Sequence, residues 1–166
     1  MKYDYIIVGG GSAGCTLASR LTENPNTSVL LLEAGPDYPE FNQLPMDLKL
    51  GNNMWRSAYG PHSWGYKATA TTRQSDQIII PRGKTIGGSS SINGQVMFRG
   101  IPEDYDNWAK WGNREWSFPK VLPYFKKLEN DLDFPGGDFH GNAGPIPVRR
   151  YKREEWLPYF RAFYDS

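Results

Sequence analysis

Three glycines at positions 9, 11 and 14 follow the apolar run Tyr5-Ile6-Ile7-Val8 and precede a stretch with Leu17, Ala18 and Leu21 at helical spacing. Few arrangements of backbone accept that order. A short β-branched run suits a parallel strand buried on both faces. Gly9 then makes the tight turn, Gly11 lets main chain approach a pyrophosphate, and Gly14 lets the next helix pack on the strand. The helix that opens there directs the positive end of its dipole at the phosphates. Residues 28–32 (Ser-Val-Leu-Leu-Leu) read as a second parallel strand with Glu33 at its carboxyl end. A carboxylate in that place accepts hydrogen bonds from the two ribose hydroxyls of an adenosine and repels a 2′-phosphate, which disfavours NADP. Strand, loop, helix, strand and acid fall in the sequence that the dinucleotide fingerprint requires. The expected fold class is α/β, with a Rossmann-like unit at residues 1–35.

A second loop lies downstream. Residues 81–94 place four glycines, three serines and Asn93 between two apolar runs. The small residues Gly87, Gly88, Ser89 and Ser90 let main chain lie against a flat ligand, and their amides and hydroxyls can donate to phosphate and flavin oxygens. Ile86, Ile92 and Val96 are expected to anchor both sides of the loop, which separates it from a flexible Gly/Ser linker. Two phosphate-type loops in this order point to a flavin and not to a nicotinamide.

The run Gly83-Lys84-Thr85-Ile86-Gly87-Gly88-Ser89-Ser90-Ser91-Ile92-Asn93, followed by Gly100 and Asp106, resembles the first signature of the glucose–methanol–choline family of FAD-dependent oxidoreductases. The resemblance continues through residues 104–108, Gly112, Trp116, residues 122–125, Phe139-His140-Gly141 and Gly144-Pro145, and is nearest in flavour to bacterial choline dehydrogenase-like members. It implies an FAD-binding domain of that type with the loop and signature at 77–106, the first elements of a substrate domain, and a longer enzyme of which residues 1–166 are the N-terminal portion. It also implies cofactor contacts from Gly9, Gly11, Ser12, Ala13, Gly14, Glu33, Ala34, Arg82, Thr85, Gly87, Gly88, Ser90, Asn93, Gly94, Gln95 and Val96. Family members with covalent FAD carry the linking histidine just before the asparagine; Ile92 occupies that place and has no nucleophilic atom, so the implied FAD is non-covalent. Where the signature carries an aromatic residue this chain has Met97, adaptable enough to repack the space.

The activity implied by the resemblance is oxidation of an alcohol CH–OH group, with the substrate hydride passing to flavin N5 and the proton to a base. The family's catalytic histidine and its His or Asn companion belong to the C-terminal half, so no catalytic residue is expected in this chain. The partners expected are a small-molecule alcohol and the C-terminal remainder, on the same or a separate chain. Two alternatives stay open, because fold does not fix reaction: a flavoprotein of this fold with lyase or photodecarboxylase chemistry, and a non-catalytic FAD-binding piece.

The rest of the sequence mainly excludes. With 19 basic and 18 acidic residues and no long basic run, nucleic acid is not an expected partner. Cys15 is the single cysteine and packs in the first helix, so no disulfide forms within the chain and a reducing compartment is expected. No apolar run approaches the ~18 residues of a membrane span, and a first strand starting near Asp4 leaves no room for a signal peptide; the expected location is cytoplasmic. His62 reads as a surface residue in a turn, the resemblance implies a structural loop for His140, and no ligand cluster suggests a metal. Residues 36–60 are expected to wrap over the nucleotide-binding unit with Trp55 as anchor. Residues 66–72 and 77–80 suit a hairpin and 104–111 a short helix. Ser117 is placed to cap a helix running to about Asn130, with Pro123 distorting its first turns. The 24 aromatic residues read mostly as core, with Trp64 either core or near the cofactor. Leu157, Phe160, Phe163 and Tyr164 form an apolar stripe that finds no partner downstream.

Overall fold

The computed structural model describes residues 1–49 and 53–166. Two compact units are present, Met1–Val96 and Met97–Ser166, and the stretch 77–106 crosses the border between them.

In the first unit, β1 (Tyr5–Val8), α1 (Ser12–Leu21) and β2 (Val29–Leu32) follow one another as the sequence predicts. β1 and β2 pair in parallel, Tyr5 opposite Val29 and Val8 opposite Leu32. Asp4 sets that register: its carboxylate accepts hydrogen bonds from both the amide (2.8 Å) and the hydroxyl (2.7 Å) of Ser28, the residue just before β2. These contacts hold the Asp4 carboxyl below its ordinary range. The strand faces differ from expectation. Ile6 is 63% and Val8 83% exposed, because among the described residues this sheet has two strands and the apolar side chains lack a covering layer.

Three short helices, α2 (Met46–Lys49), α3 (Met54–Ala58) and α4 (Ser89–Ile92), pack on one another. Among the described residues of this unit, the buried apolar side chains are Leu48 and Ile92. Trp55, expected to anchor the segment, is instead exposed and stacks on Tyr59 with ring centroids 5.3 Å apart. Residues 50–52 of the expected wrap lie outside the described residues. The hairpin forms as predicted but shorter, with β3 (Tyr66–Ala68) antiparallel to β4 (Ile78–Ile80), and β4 leads directly into the second glycine loop.

In the second unit, α5 (Pro102–Lys110) begins two residues earlier than predicted. Pro102 suits a first helical position, where no amide is needed, and the Asp104 carboxylate reaches back to the Ile101 amide at 3.1 Å. Ser117 stands at the N-cap of α6 (Phe118–Leu128), yet its side chain makes no cap; the Phe118 amide bonds Asp106 of α5 instead, at 3.0 Å. The helix runs through Pro123 without a break and stops at Leu128, because Glu129 opens β5 (Glu129–Asp131), parallel to β6 (Ile146–Val148). Tyr105 of α5 meets Trp108, Phe118 and Phe125 edge-on or tilted. The unit ends in α7 (Pro158–Asp165). Among the described residues no aromatic side chain is buried, contrary to the expected core. Among the described residues no helix is long and apolar enough to cross a membrane.

Candidate functional site

The two glycine loops, far apart in sequence, lie against each other. The Gly87 amide donates to Gly10 O at 2.7 Å, and residues 11 and 87 form a parallel bridge. Gly88 holds a left-handed φ of 58°, and a Cβ there would sit 2.9 Å from Gly11 Cα. Any side chain at 88 would push the loops apart. Behind them, a Cβ on Gly14 would fall 1.9 Å from Gly9 O, so the close packing of α1 on the turn requires glycine, as the fingerprint predicts.

Glu33 closes the end of β2. Its Oε2 accepts from the Gly10 amide at 2.6 Å and its Oε1 from the Gly35 amide at 2.8 Å. The carboxylate is thereby fixed in orientation, and each oxygen keeps lone-pair capacity for a further donor. α1 starts beside it without a side-chain cap at Gly11 and without an acidic residue in its first turn, so the first amides of the helix have no side-chain acceptor at the N-cap.

Of the sequence-predicted residues, Gly9, Gly11, Glu33, Ala34, Arg82 and Gly88 line one cleft of about 590 Å³. Trp64 and Ser89 join them there. The Trp64 ring lies parallel to that of Tyr66 at 5.9 Å and carries the Lys84 ammonium 4.7 Å from its centroid. Ser12 and Ala13 are exposed on the first turn of α1, and Gly14 is buried behind the turn. The remaining residues do not line this cleft. Thr85 is buried and donates its hydroxyl to Pro36 O at 2.8 Å, while Ser90 donates its own to Gly87 O at 2.7 Å. Asn93 Oδ1 accepts from the Gln95 amide at 2.8 Å, which supports Gln95 in a left-handed φ of 55°. Thr85 and Gln95 border a separate cavity of about 260 Å³ with Tyr38 and Leu48. Gly87 and Gly94 are half-buried, and Val96, expected to anchor the loop, is 64% exposed. It is the last residue of the first unit. The glycine floor, the uncapped helix start and the fixed acid fit the diphosphate and ribose of a dinucleotide.

The histidines differ in their surroundings. His62 is not a surface residue: it is 6% exposed and bonded at both ring nitrogens, to Asp47 and Tyr38. No local spacing signals this, because Asp47 and Tyr38 lie 15 and 24 residues away along the chain. His140 does sit in a structured loop, where its Nδ1 lies 3.1 Å from Glu129 Oε1 and 3.0 Å from Asp131 Oδ2. These three are the one described group of acids and histidine close enough to share a metal. Both carboxylates are already occupied, Glu129 by Arg99 and the Gly141 amide, Asp131 by Arg150 and the amides of Asp133 and Phe134. Burial pushes the Asp131 carboxyl up, but the Phe134 amide and the Arg150 guanidinium outweigh it and hold it down at about 2. Glu129 is likewise held below its ordinary range: burial opposes the shift, while Arg99 and the Gly141 amide drive it. The group is an ion-pair knot that ties β5 to the loop after β6 and to the turn around residue 140.

The sequence profile of GMC oxidoreductases matches residues 3–164. The chain is 40% identical to a 5-(hydroxymethyl)furfural oxidase of Methylovorus over 93% of its own length and 30% of the relative's. It is 39% identical to an oxygen-dependent choline dehydrogenase of Brucella anthropi over 100% of its length and 29% of the relative's. In three dimensions it is similar to a pyridoxine 4-oxidase from Mesorbium loti, with a TM-score of 0.85 and 33% identity, covering 99% of this chain and 31% of that one. The chain therefore spans about 30% of the length of the curated relatives it matches.

Proposed function

The chain belongs to the GMC oxidoreductase family, and from that premise we propose that it is the cofactor-binding portion of an FAD-dependent enzyme that oxidises the CH–OH group of an alcohol. The observation that carries this reading is the meeting of the two glycine loops on one cleft with Glu33 at its end. The exposed amides of Ser12 and Ala13 at the uncapped start of α1 take the pyrophosphate. Glu33, oriented by Gly10 and Gly35, takes the ribose hydroxyls, and Ala34 and Arg82 border the adenosine side. The main chain of 87–88 offers a flat floor, and residues 93–96 continue it toward the flavin ring. Ile92 is 2% exposed and carries no nucleophile, so FAD stays non-covalent. The flavin, when bound, supplies the hydride acceptor.

Neither described imidazole, His62 or His140, lines the cleft, so this reading gives neither of them the substrate proton. The base belongs to the remainder of the enzyme. The relatives named for hydroxymethylfurfural and choline point to a primary alcohol as the substrate class. A single cysteine suits a reducing compartment, and we place the protein in the cytoplasm. The test is anaerobic mixing of the purified complete protein with choline, 5-(hydroxymethyl)furfural and simple primary alcohols while the visible flavin absorbance is followed. At least one alcohol bleaches the flavin; a protein that carries no flavin, or whose flavin no alcohol reduces, refutes the proposal.

A further inference from the structure

Residues 82–86, which lead into the second glycine loop, are gripped from two sides. On one side Pro36 O accepts from the Ile86 amide at 3.2 Å and from the Thr85 hydroxyl at 2.8 Å. Gly35 lies so near that a Cβ on it would stand 2.0 Å from Lys84 O. On the other side His62 O accepts from the Lys84 amide at 2.7 Å, the Trp64 amide donates to Arg82 O at 2.9 Å, and Ser63 bridges Gly83. The gripping segments belong to different loops, and side chains join them: the Tyr38 hydroxyl lies 2.8 Å from His62 Nε2, and His62 Nδ1 lies 2.7 Å from Asp47 Oδ2. An ionised Asp47 only accepts, so in the neutral ring Nδ1 carries the proton and Nε2 accepts from Tyr38. The ring is buried, with the Tyr38 ring edge-on to it at 5.6 Å.

We propose that Tyr38 and His62, backed by Asp47, close a clamp around residues 82–86 and act as positioning residues for the cofactor loop. The path from clamp to cleft is short. Arg82 and Gly83 line the cleft, and Gly83 is packed so closely on Gly88 that a Cβ there would fall 2.1 Å from Gly88 O. Loosening 82–86 therefore moves Gly88 relative to Gly11, the contact that shapes the pyrophosphate floor. The proposal rests on the FAD reading only for its consequence in binding; the clamp itself is a statement about residues 35–38, 62–64 and 82–86.

Three variants of the complete protein separate the bonds. Tyr38→Phe removes only the hydroxyl. His62→Gln keeps an amide group near the Nε2 position and can retain the Tyr38 bond. His62→Asn keeps one near Nδ1 and retains Asp47 alone. Losing one neutral hydrogen bond corresponds to up to about tenfold in a local equilibrium. Amide exchange at Lys84 and Ile86 accordingly rises by about tenfold in Tyr38→Phe and His62→Asn but not in His62→Gln, and the FAD dissociation constant rises about fivefold in the same two. The amides of Ile6 and Ile7 in β1 keep their exchange rates. Unchanged exchange at Lys84 and Ile86 in Tyr38→Phe overturns the clamp, as does a uniform rise that includes β1, or Gln behaving like Asn. Altered exchange with unchanged FAD affinity overturns the role in cofactor positioning. If the wild-type protein binds no FAD, the preceding reading fails while the exchange rates still decide the clamp.

Discussion

On the proposed FAD reading, Glu33 serves structure and binding together. Its bonds to the Gly10 and Gly35 amides fix the orientation of the carboxylate, and that reading has it meet the ribose already oriented. Charge-assisted hydrogen bonds of this kind are worth roughly 1.5–3 kcal/mol. Glu33→Ala in the complete protein is expected to weaken FAD binding about tenfold or more. It also lowers the thermal midpoint, because the Gly10 and Gly35 amides lose their acceptor. Fluorescence titration with FAD reads the first effect and a melting curve the second; unchanged affinity removes Glu33 from the site. Ile92 supports a simpler test. After acid precipitation and filtration the yellow chromophore should pass into the filtrate, and flavin retained on the protein would show that position 92 does not decide the linkage. Asp131 is expected to contribute to acid stability. Its carboxyl is depressed from 3.8 to about 2 in the folded state, so the stability it contributes is complete above about pH 4 and is lost as pH falls toward 2. Glu129 is shifted in the same direction and adds to that loss. Acid titration of Asp131→Asn, followed by tryptophan fluorescence, should show a lower plateau near neutral pH and a flatter decline. A parallel decline in both proteins would mean that the knot does not set the acid limit.

At the scale of elements, what could be read from the sequence was whatever is local. The order of β1, the glycine turn, α1 and β2 follows from period and spacing, and the helix starting at Pro102 was missed by only two residues because its cap depends on Asp104 reaching backward. The hairpin was legible for the same reason. What escaped depends on contacts between distant segments. His62 looks like a turn residue until Tyr38 and Asp47 are placed beside it. In the cleft, spacing placed Gly9, Gly11, Glu33, Arg82 and Gly88 on one lining, whereas the side-chain bonds of Ser90, Thr85 and Asn93 to their own loop or its neighbour depend on contacts that no spacing shows. The meeting of the two loops gives an element-scale test. Gly88→Ala combines a left-handed φ with a Cβ 2.9 Å from Gly11 Cα. Strain of that kind costs about 1–3 kcal/mol, and here it also separates the loops. Urea denaturation and flavin content of the purified complete protein should both fall, whereas Gly137→Ala, where a Cβ meets nothing within 4 Å, should be close to neutral. Equal effects of the two substitutions would argue against a shaped contact between the loops.

At the scale of the molecule, the apolar surface left open is the main fact, and the sequence pointed to it in one place only. Leu157, Phe160, Phe163 and Tyr164 of the α7 region are all more than half exposed and border one groove with Tyr151 and Trp156. β1 is open as well, with Ile6 and Val8 exposed. Composition suggested that the aromatics would be core, because a count of side chains cannot tell a face covered within the chain from one covered by a further layer. Matching relatives are about three times as long, and apolar faces of this extent mark interaction surfaces. On the reading proposed above, residues 1–166 hold the nucleotide, and the remainder covers these faces and brings the base. General-base assistance is worth roughly 10²- to 10⁴-fold in rate. Residues 1–166 prepared alone with added FAD should therefore give no alcohol-dependent dye reduction and should associate or aggregate in sizing experiments. The complete protein should turn over at least one primary alcohol and run as a defined species. If residues 1–166 alone reduced the dye at a rate near that of the complete protein, a base would have to exist within them, His62 or His140 would be the only imidazoles available, and the assignment of both to structure would fall with the proposal.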